Sequence, residues 1–306
     1  MTAKKERFNL ALYRQAMRIV VWFIVLGALY YFGASVLHHW SEISNWNPGV
    51  LGWSAVLVVV LLYSLALVLL AEVWHNLVHG VQPLRFPRAV THHSYSKSQI
   101  AKYLPGNVFN FIGRHIIMKQ SDVSHSALVM ATLSEIGILV YSASIILALG
   151  IGFLPDTINL GIELGVVWFL SWVCVVGGPI VWFAAKKLNF IPTPPPFKTV
   201  VVCVCYTLVF FLVMGAVFLA IVMLVTGKAM APLIVIAVCS WLFGFLTPGA
   251  PAGLGIREVT LLIFLRTELS EADALLAIGL FRITTTLADF VYFCAGELFY
   301  PKGAKH

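Results

Sequence analysis

Apolar runs that recur along the chain constrain its fold more than any other feature. Ile19 to Leu37, Val50 to Ala71, Leu164 to Ala185 and Thr199 to Thr226 contain no charged residue, while Ala127 to Ile151 holds one and Ala274 to Gly296 two. About 20 apolar residues match the ~30 Å hydrocarbon core of a bilayer, where each backbone amide must find its partner inside the chain. The pattern predicts an all-α polytopic membrane protein with six full crossings, a single transmembrane unit spanning residues 1–306. With 11% charged residues against 60% hydrophobic, where soluble domains average about 25% charged, a water-soluble enzyme is excluded.

The charges orient the runs. Lys4, Lys5, Arg7, Arg14 and Arg18 precede the first run against a single Glu6, and the loop from His38 to Gly49 carries Glu42 but no lysine or arginine. Arg85, Arg88, Lys97 and Lys102 follow the second run, and Lys186 and Lys187 close the fourth. Cations gather on the cytoplasmic side of membrane proteins, so the N-terminus is expected there. The net charge of +7 sits in short blocks beside apolar segments, which fits anionic lipid headgroups and not nucleic acid. The five cysteines all lie in apolar stretches without a CxxC pair and read as packing residues. Gly161 and Gly165 form a GxxxG, expected at a close internal helix contact.

Two segments are too short to cross. Ala231 to Leu246 has 16 residues and Ala252 to Leu265 has 14, and between them Thr247-Pro248-Gly249-Ala250-Pro251 must unwind. The first half holds a counterpart, Lys102-Tyr103-Leu104-Pro105-Gly106-Asn107, and in both places an arginine stands nine positions after the proline: Pro105 to Arg114, Pro248 to Arg257. Matched broken helices point to two repeats, 1–155 and 156–306, each with a re-entrant element, and to a transport site where the breaks meet. If the repeats are inverted, the first element dips in from the cytoplasm and the second from outside.

Five ionisable groups lie within apolar segments: Glu135, Arg257, Glu258, Arg282 and Asp289. Each costs at least ~2.5 kcal/mol on insertion scales unless it is paired or faces water. Arg282 and Asp289, seven apart, share a helix face. The functional reading has Arg114, Arg257 and Arg282 receive an anionic group while Glu135, Glu258 and Asp289 balance their charge. The unwound Pro105-Gly106 and Pro248-Gly249 backbone would offer free N–H groups beside them. The alternative is that these residues pair internally and lock helices together.

The segments Ser98 to Arg114 (SQIAKYLPGNVFNFIGR), Glu135, Leu246 to Glu258 (LTPGAPAGLGIRE) and Ala274 to Arg282 (ALLAIGLFR) resemble the bacterial lysylphosphatidylglycerol synthase transmembrane, or flippase-like, family. The resemblance implies a protein of the bacterial cytoplasmic membrane that moves an anionic phospholipid, or a polyprenyl-phosphate-linked saccharide, between leaflets. A membrane or peripheral glycosyltransferase or synthase is the partner expected if the chain delivers lipid to one. Multidomain members append a soluble aminoacyl synthase, which these 306 residues do not contain, so aminoacyl transfer is not expected of them. No G-x-x-x-x-G-K-[ST] loop occurs, so no nucleotide cofactor is expected, and transport would run downhill or on protons through Glu135 and Asp289. Two other classes compete: a lipid-modifying enzyme with Glu258 or Glu135 as general base, and a non-catalytic subunit that delivers lipid. No nucleophile–base–orienter set supports the first. His75, His79, His92 and His93 make an incomplete set of metal-binding boxes, and no metal is expected.

Overall fold

The computed structural model describes residues 26–27, 30–82, 87–103, 109–119, 123–154, 164–187, 194–247 and 250–299. The protein is an all-α polytopic membrane protein, and the described residues contain no strand. Its helices are α1 (Trp40–Ser44), α2 (Gly49–Val81), α3 (Arg88–Ala101), α4 (Phe109–Lys119), α5 (His125–Gly150), α6 (Leu164–Lys187), α7 (Phe197–Thr226), α8 (Pro232–Leu246), α9 (Ile256–Leu265) and α10 (Glu271–Phe299). Five of them, α2, α5, α6, α7 and α10, are long and apolar enough to cross a bilayer. Of the first expected span, residues 26–27 and 30–37 are helical and the rest lies outside the described residues.

Neither broken element could cross. At 1.5 Å per residue, the 14 residues of α3 and 11 of α4 reach about 21 and 17 Å, and the 15 of α8 and 10 of α9 about 23 and 15 Å. The two helices of each pair pack against one another, so each pair is a hairpin. Pro105, Gly106, Pro248 and Gly249 lie outside the described residues.

The hairpins enter from opposite ends of the bundle. Ser124, the N-cap of α5, donates its N–H to Oε1 of Gln82, the C-cap of α2, at 2.9 Å, so the chain leaves and rejoins the bundle at one end around α3–α4. At that same end a Cβ on Gly80 would stand 3.2 Å from Pro196, which caps the start of α7. At the other end a Cβ on Gly52, near the start of α2, would stand 3.5 Å from Leu224, near the finish of α7. Helices α2 and α7 are therefore antiparallel. The second hairpin begins at this far end, where Val235 of α8 presses on Gly150 at the finish of α5. Pairings match across the two halves: α2 with α5 as α7 with α10, and α3 with α10 as α8 with α5. Two inverted units, α2 to α5 and α7 to α10, thus interlock around the α2–α7 contact.

Helix α3 is longer and more polar than the broken element read from sequence, yet much of it is buried. It tolerates this because its hydroxyls bond back onto its own turns: Thr91 to Arg88 O (2.8 Å), Ser94 to Thr91 O (2.8 Å), Ser96 to His93 O (3.0 Å) and Ser98 to Tyr95 O (2.7 Å). Helix α6 is the opposite case. It packs on α5, and Val166, Phe169, Leu170, Val173, Ile180 and Val181 face outward as a lipid-facing surface. Gly165 does not make the close contact expected of it: a Cβ there meets nothing within 4 Å, and the tight approach on this helix is Gly178 against Tyr141. Gly161, the other half of the expected pair, lies outside the described residues.

Candidate functional site

Both hairpin tips border one cavity of about 390 Å³. Gln99, Lys102, Tyr103 and Asn110 flank the first break, Leu246, Ala252 and Gly253 the second, and α2, α5, α7 and α10 supply the walls. Arg114, Glu135, Arg257, Arg282 and Asp289 all line it, so five of the six expected charged site residues come together; Glu258 stands directly behind, bonded to Arg282.

The pairing within this set is specific. Arg114 Nη1 donates to Glu135 Oε2 at 2.7 Å, both side chains at most 3% exposed. The guanidinium is boxed by rings: Trp74 at 4.6 Å, Tyr95 at 4.7 Å and Phe111 at 5.1 Å from their centroids. This pair has the geometry of a lock between α4 and α5, the internal alternative foreseen from sequence. Arg282 Nε donates to Glu258 Oε1, and its two terminal nitrogens lie 3.5 Å from the Ala252 carbonyl. Glu258 Oε2 also accepts the Gly255 N–H at 2.6 Å, which caps the start of α9. The carboxylate therefore ties the second break to α10.

Asp289 balances a lysine and not an arginine. Lys102 Nζ stands 2.7 Å from Asp289 Oδ2, and the Tyr103 hydroxyl donates to the same oxygen at 2.5 Å. Asp289 is 0% exposed, and its Oδ1 has no hydrogen-bond partner among the described residues. Lys102 was read from sequence as one of the cytoplasmic surface cations. Its place is corrected here: a re-entrant tip carries it from the rim to the cavity, where it meets a residue of the other half.

Arg257 differs from the other cations. Among the described residues it makes no ion pair and no hydrogen bond, and its Nε is buried without a partner. Its guanidinium lies 5.6 Å from the Trp241 ring centroid. Space for the side chain comes from two glycines: a Cβ on Gly244 would stand 2.5 Å from Arg257 Cγ, and one on Gly253 2.6 Å from its Nε. Gly253 also has φ +70, and its neighbour Ala252 holds φ +50, a left-handed backbone that costs an L-residue roughly 1–2 kcal/mol. The strained turn points the Ala252 carbonyl at Arg282 and opens the pocket in which Arg257 lies.

No family model and no curated protein matches this chain. Among the described residues, four cations, Lys102, Arg114, Arg257 and Arg282, face three carboxylates, Glu135, Glu258 and Asp289, leaving one positive charge. The residues of the breaks outside the described set, Leu104 to Val108 and Pro248-Gly249, add no charge. Among the described residues no group of three or more His, Cys, Asp or Glu side chains could hold a metal ion. Toward the C-terminal end of α2, His75 bonds Thr91 Oγ1 at 2.9 Å and His92 bonds Glu72 at 3.1 Å, so these histidines tie α2 to α3.

Sequence reasoning missed Lys102, Tyr103, Gln99, Tyr63 and Trp241 as cavity residues. Lys102 and Tyr103 stood beside Pro105-Gly106 and were within reach of the same logic that found Arg114. Tyr63 and Trp241 lie in apolar helices where an aromatic carries no separate signal.

Proposed function

We propose that this protein is a flippase-like lipid transporter that moves an anionic, phosphate-bearing lipid between the leaflets of the membrane in which it sits. One observation carries the reading: a cavity bordered by two broken hairpins from opposite ends holds an arginine that, among the described residues, has no ion pair. An unpaired buried cation is costly, and a fold that makes room for it with two glycines has use for an anion there. A transported head needs a polar station between two gates, and hairpins inserted from opposite ends provide two independent gates.

The orientation with α3 and α4 opening to the cytoplasm, and with the N-terminus there, follows from the cation bias at that end. The likeness of the two Pro-Gly segments to the bacterial flippase-like family points the same way and adds the inner membrane as an expectation.

Reconstitution in liposomes with a fluorescent anionic phospholipid tests the reading. Wild-type protein accelerates exposure of inner-leaflet label to a membrane-impermeant quencher, and Arg257→Ala abolishes the acceleration while eluting as a folded monodisperse species. Arg282→Ala does the same. Wild-type rates in either variant reject the assignment.

A further inference from the structure

The charge count of the cavity says more than that its guest is an anion. Resting on the transport reading, we infer that the passenger is a monoanionic phosphodiester bearing one small, neutral, polyhydroxyl head.

The single uncompensated positive charge is matched by one phosphodiester. A diphosphate would leave at least one negative charge unbalanced among largely buried side chains, and unpaired buried charge is costly. A zwitterionic head fails for the opposite reason. It brings no net charge, so the surplus on Arg257 persists, and its ammonium has nowhere to bind. Each carboxylate of the lining already carries a cation: Glu135 holds Arg114, Glu258 holds Arg282 and Asp289 holds Lys102.

The neutral part of the lining specifies the rest of the head. Trp241 and Phe245 stack at 4.7 Å with an interplanar angle of 12°, and both border the cavity as an aromatic platform of the kind on which a sugar or polyol C–H face packs. Amides and a phenol also line the cavity. The Gln99 side-chain amide and the Tyr63 hydroxyl make no hydrogen bond to any described residue, and the Asn110 side chain uses only its Oδ1, on the Phe111 N–H at 2.9 Å. Neutral donors and acceptors left unused inside a cavity suit hydroxyl groups. A volume of about 390 Å³ lies near the lower bound of ligand sites, which run from about 300 to 1,000 Å³. It admits a phosphate with one sugar-sized head and excludes an oligosaccharide.

A glycerophospholipid such as phosphatidylglycerol and a polyprenyl monophosphate hexose share this chemistry. Purified full-length protein in detergent is therefore offered both, together with phosphatidylcholine, phosphatidylethanol and a polyprenyl diphosphate hexose, and lipid binding is read by native mass spectrometry. At least one of the two polyhydroxyl monoanions binds about tenfold or more tightly than phosphatidylcholine and than the diphosphate, and the tighter of the pair identifies the source. Phosphatidylethanol, a phosphodiester without hydroxyls, binds several-fold more weakly than phosphatidylglycerol or than the hexose lipid, whichever is preferred. Diphosphate binding equal to or tighter than both monoanions, or phosphatidylcholine binding equal to them, overturns the charge assignment; phosphatidylethanol binding equal to them overturns the polyhydroxyl one. In Arg257→Met the preference over phosphatidylcholine falls to within about twofold, and an undiminished preference counts against the inference. The comparison among lipids on wild-type protein stands even if that variant does not fold. Vesicle assays separate the two claims: a preferred lipid that binds but is not translocated sinks the transport reading alone, while faster translocation of the diphosphate lipid sinks the headgroup assignment alone.

Discussion

Replacing Arg257 by methionine should make this protein more stable and leave it inactive. Methionine keeps an unbranched stem of similar reach in the channel between Gly244 and Gly253, so little packing is lost. What disappears is a cation with no ion pair among the described residues and an Nε with no partner. An ionisable group at bilayer depth costs about 2.5–3.5 kcal/mol on insertion scales, and an unsatisfied buried donor about 1–3 kcal/mol; the two describe overlapping costs and do not add. Against them stands the contact with Trp241 at 5.6 Å, near the ~6 Å limit of a cation–π interaction and worth about 0.5–1 kcal/mol. The balance is a stabilisation of about 1–3 kcal/mol. Equilibrium unfolding in mixed micelles of mild detergent and dodecyl sulfate measures it, with lipid translocation assayed on the same preparation. A stabilised, inactive variant is the signature of a residue kept for function at the expense of the fold. A loss of more than about 1 kcal/mol would show that Arg257 anchors the structure, and the reasoning from its unpaired charge would fail.

The Arg114–Glu135 pair should behave in the opposite way. Glu135→Leu leaves a buried arginine uncompensated and costs about 3–5 kcal/mol, whereas the double variant Arg114→Leu/Glu135→Leu recovers most of that loss; a double variant as unstable as the single one refutes the pairing as the cause. Sidedness follows from the antiparallel α2–α7 arrangement. In a background without native cysteines, Lys198→Cys and Lys228→Cys, exposed at the two ends of α7, react with an impermeant maleimide from opposite faces of the membrane, and labelling of both from one face contradicts the inverted topology.

Spans were the most legible part of this chain because hydrophobic length is a direct reading of bilayer thickness. The ends were less so. Val50 to Ala71 was expected as the second crossing, yet α2 runs on through Glu72, His75 and His79 to Val81, about 50 Å at 1.5 Å per residue, because nothing in that stretch stops a helix. The two breaks were legible from Pro-Gly and short flanking runs, and the gathering of Arg114, Glu135, Arg257, Arg282 and Asp289 followed from the cost of burying charge. Who pairs with whom did not. Asp289 faces the cavity as its spacing from Arg282 predicts, but its partner Lys102 is 187 positions away in the other half. A lysine at the polar end of a segment carries the same local signal whether it reaches lipid headgroups or a buried carboxylate. Helix α3 was hidden for a related reason: hydroxyls that bond to their own backbone look solvent-loving in a composition and are not.

Helix α6 contributes little to the interior, for its close neighbour is α5 and its other sides look outward. Its importance is one of parity. Because α5 finishes at the far end and α7 must start at the near one, a single additional pass reverses the heading of everything downstream. Without it the second unit would be threaded in the same sense as the first, both tips would arrive from one side, and the chamber between them would have a floor but no ceiling.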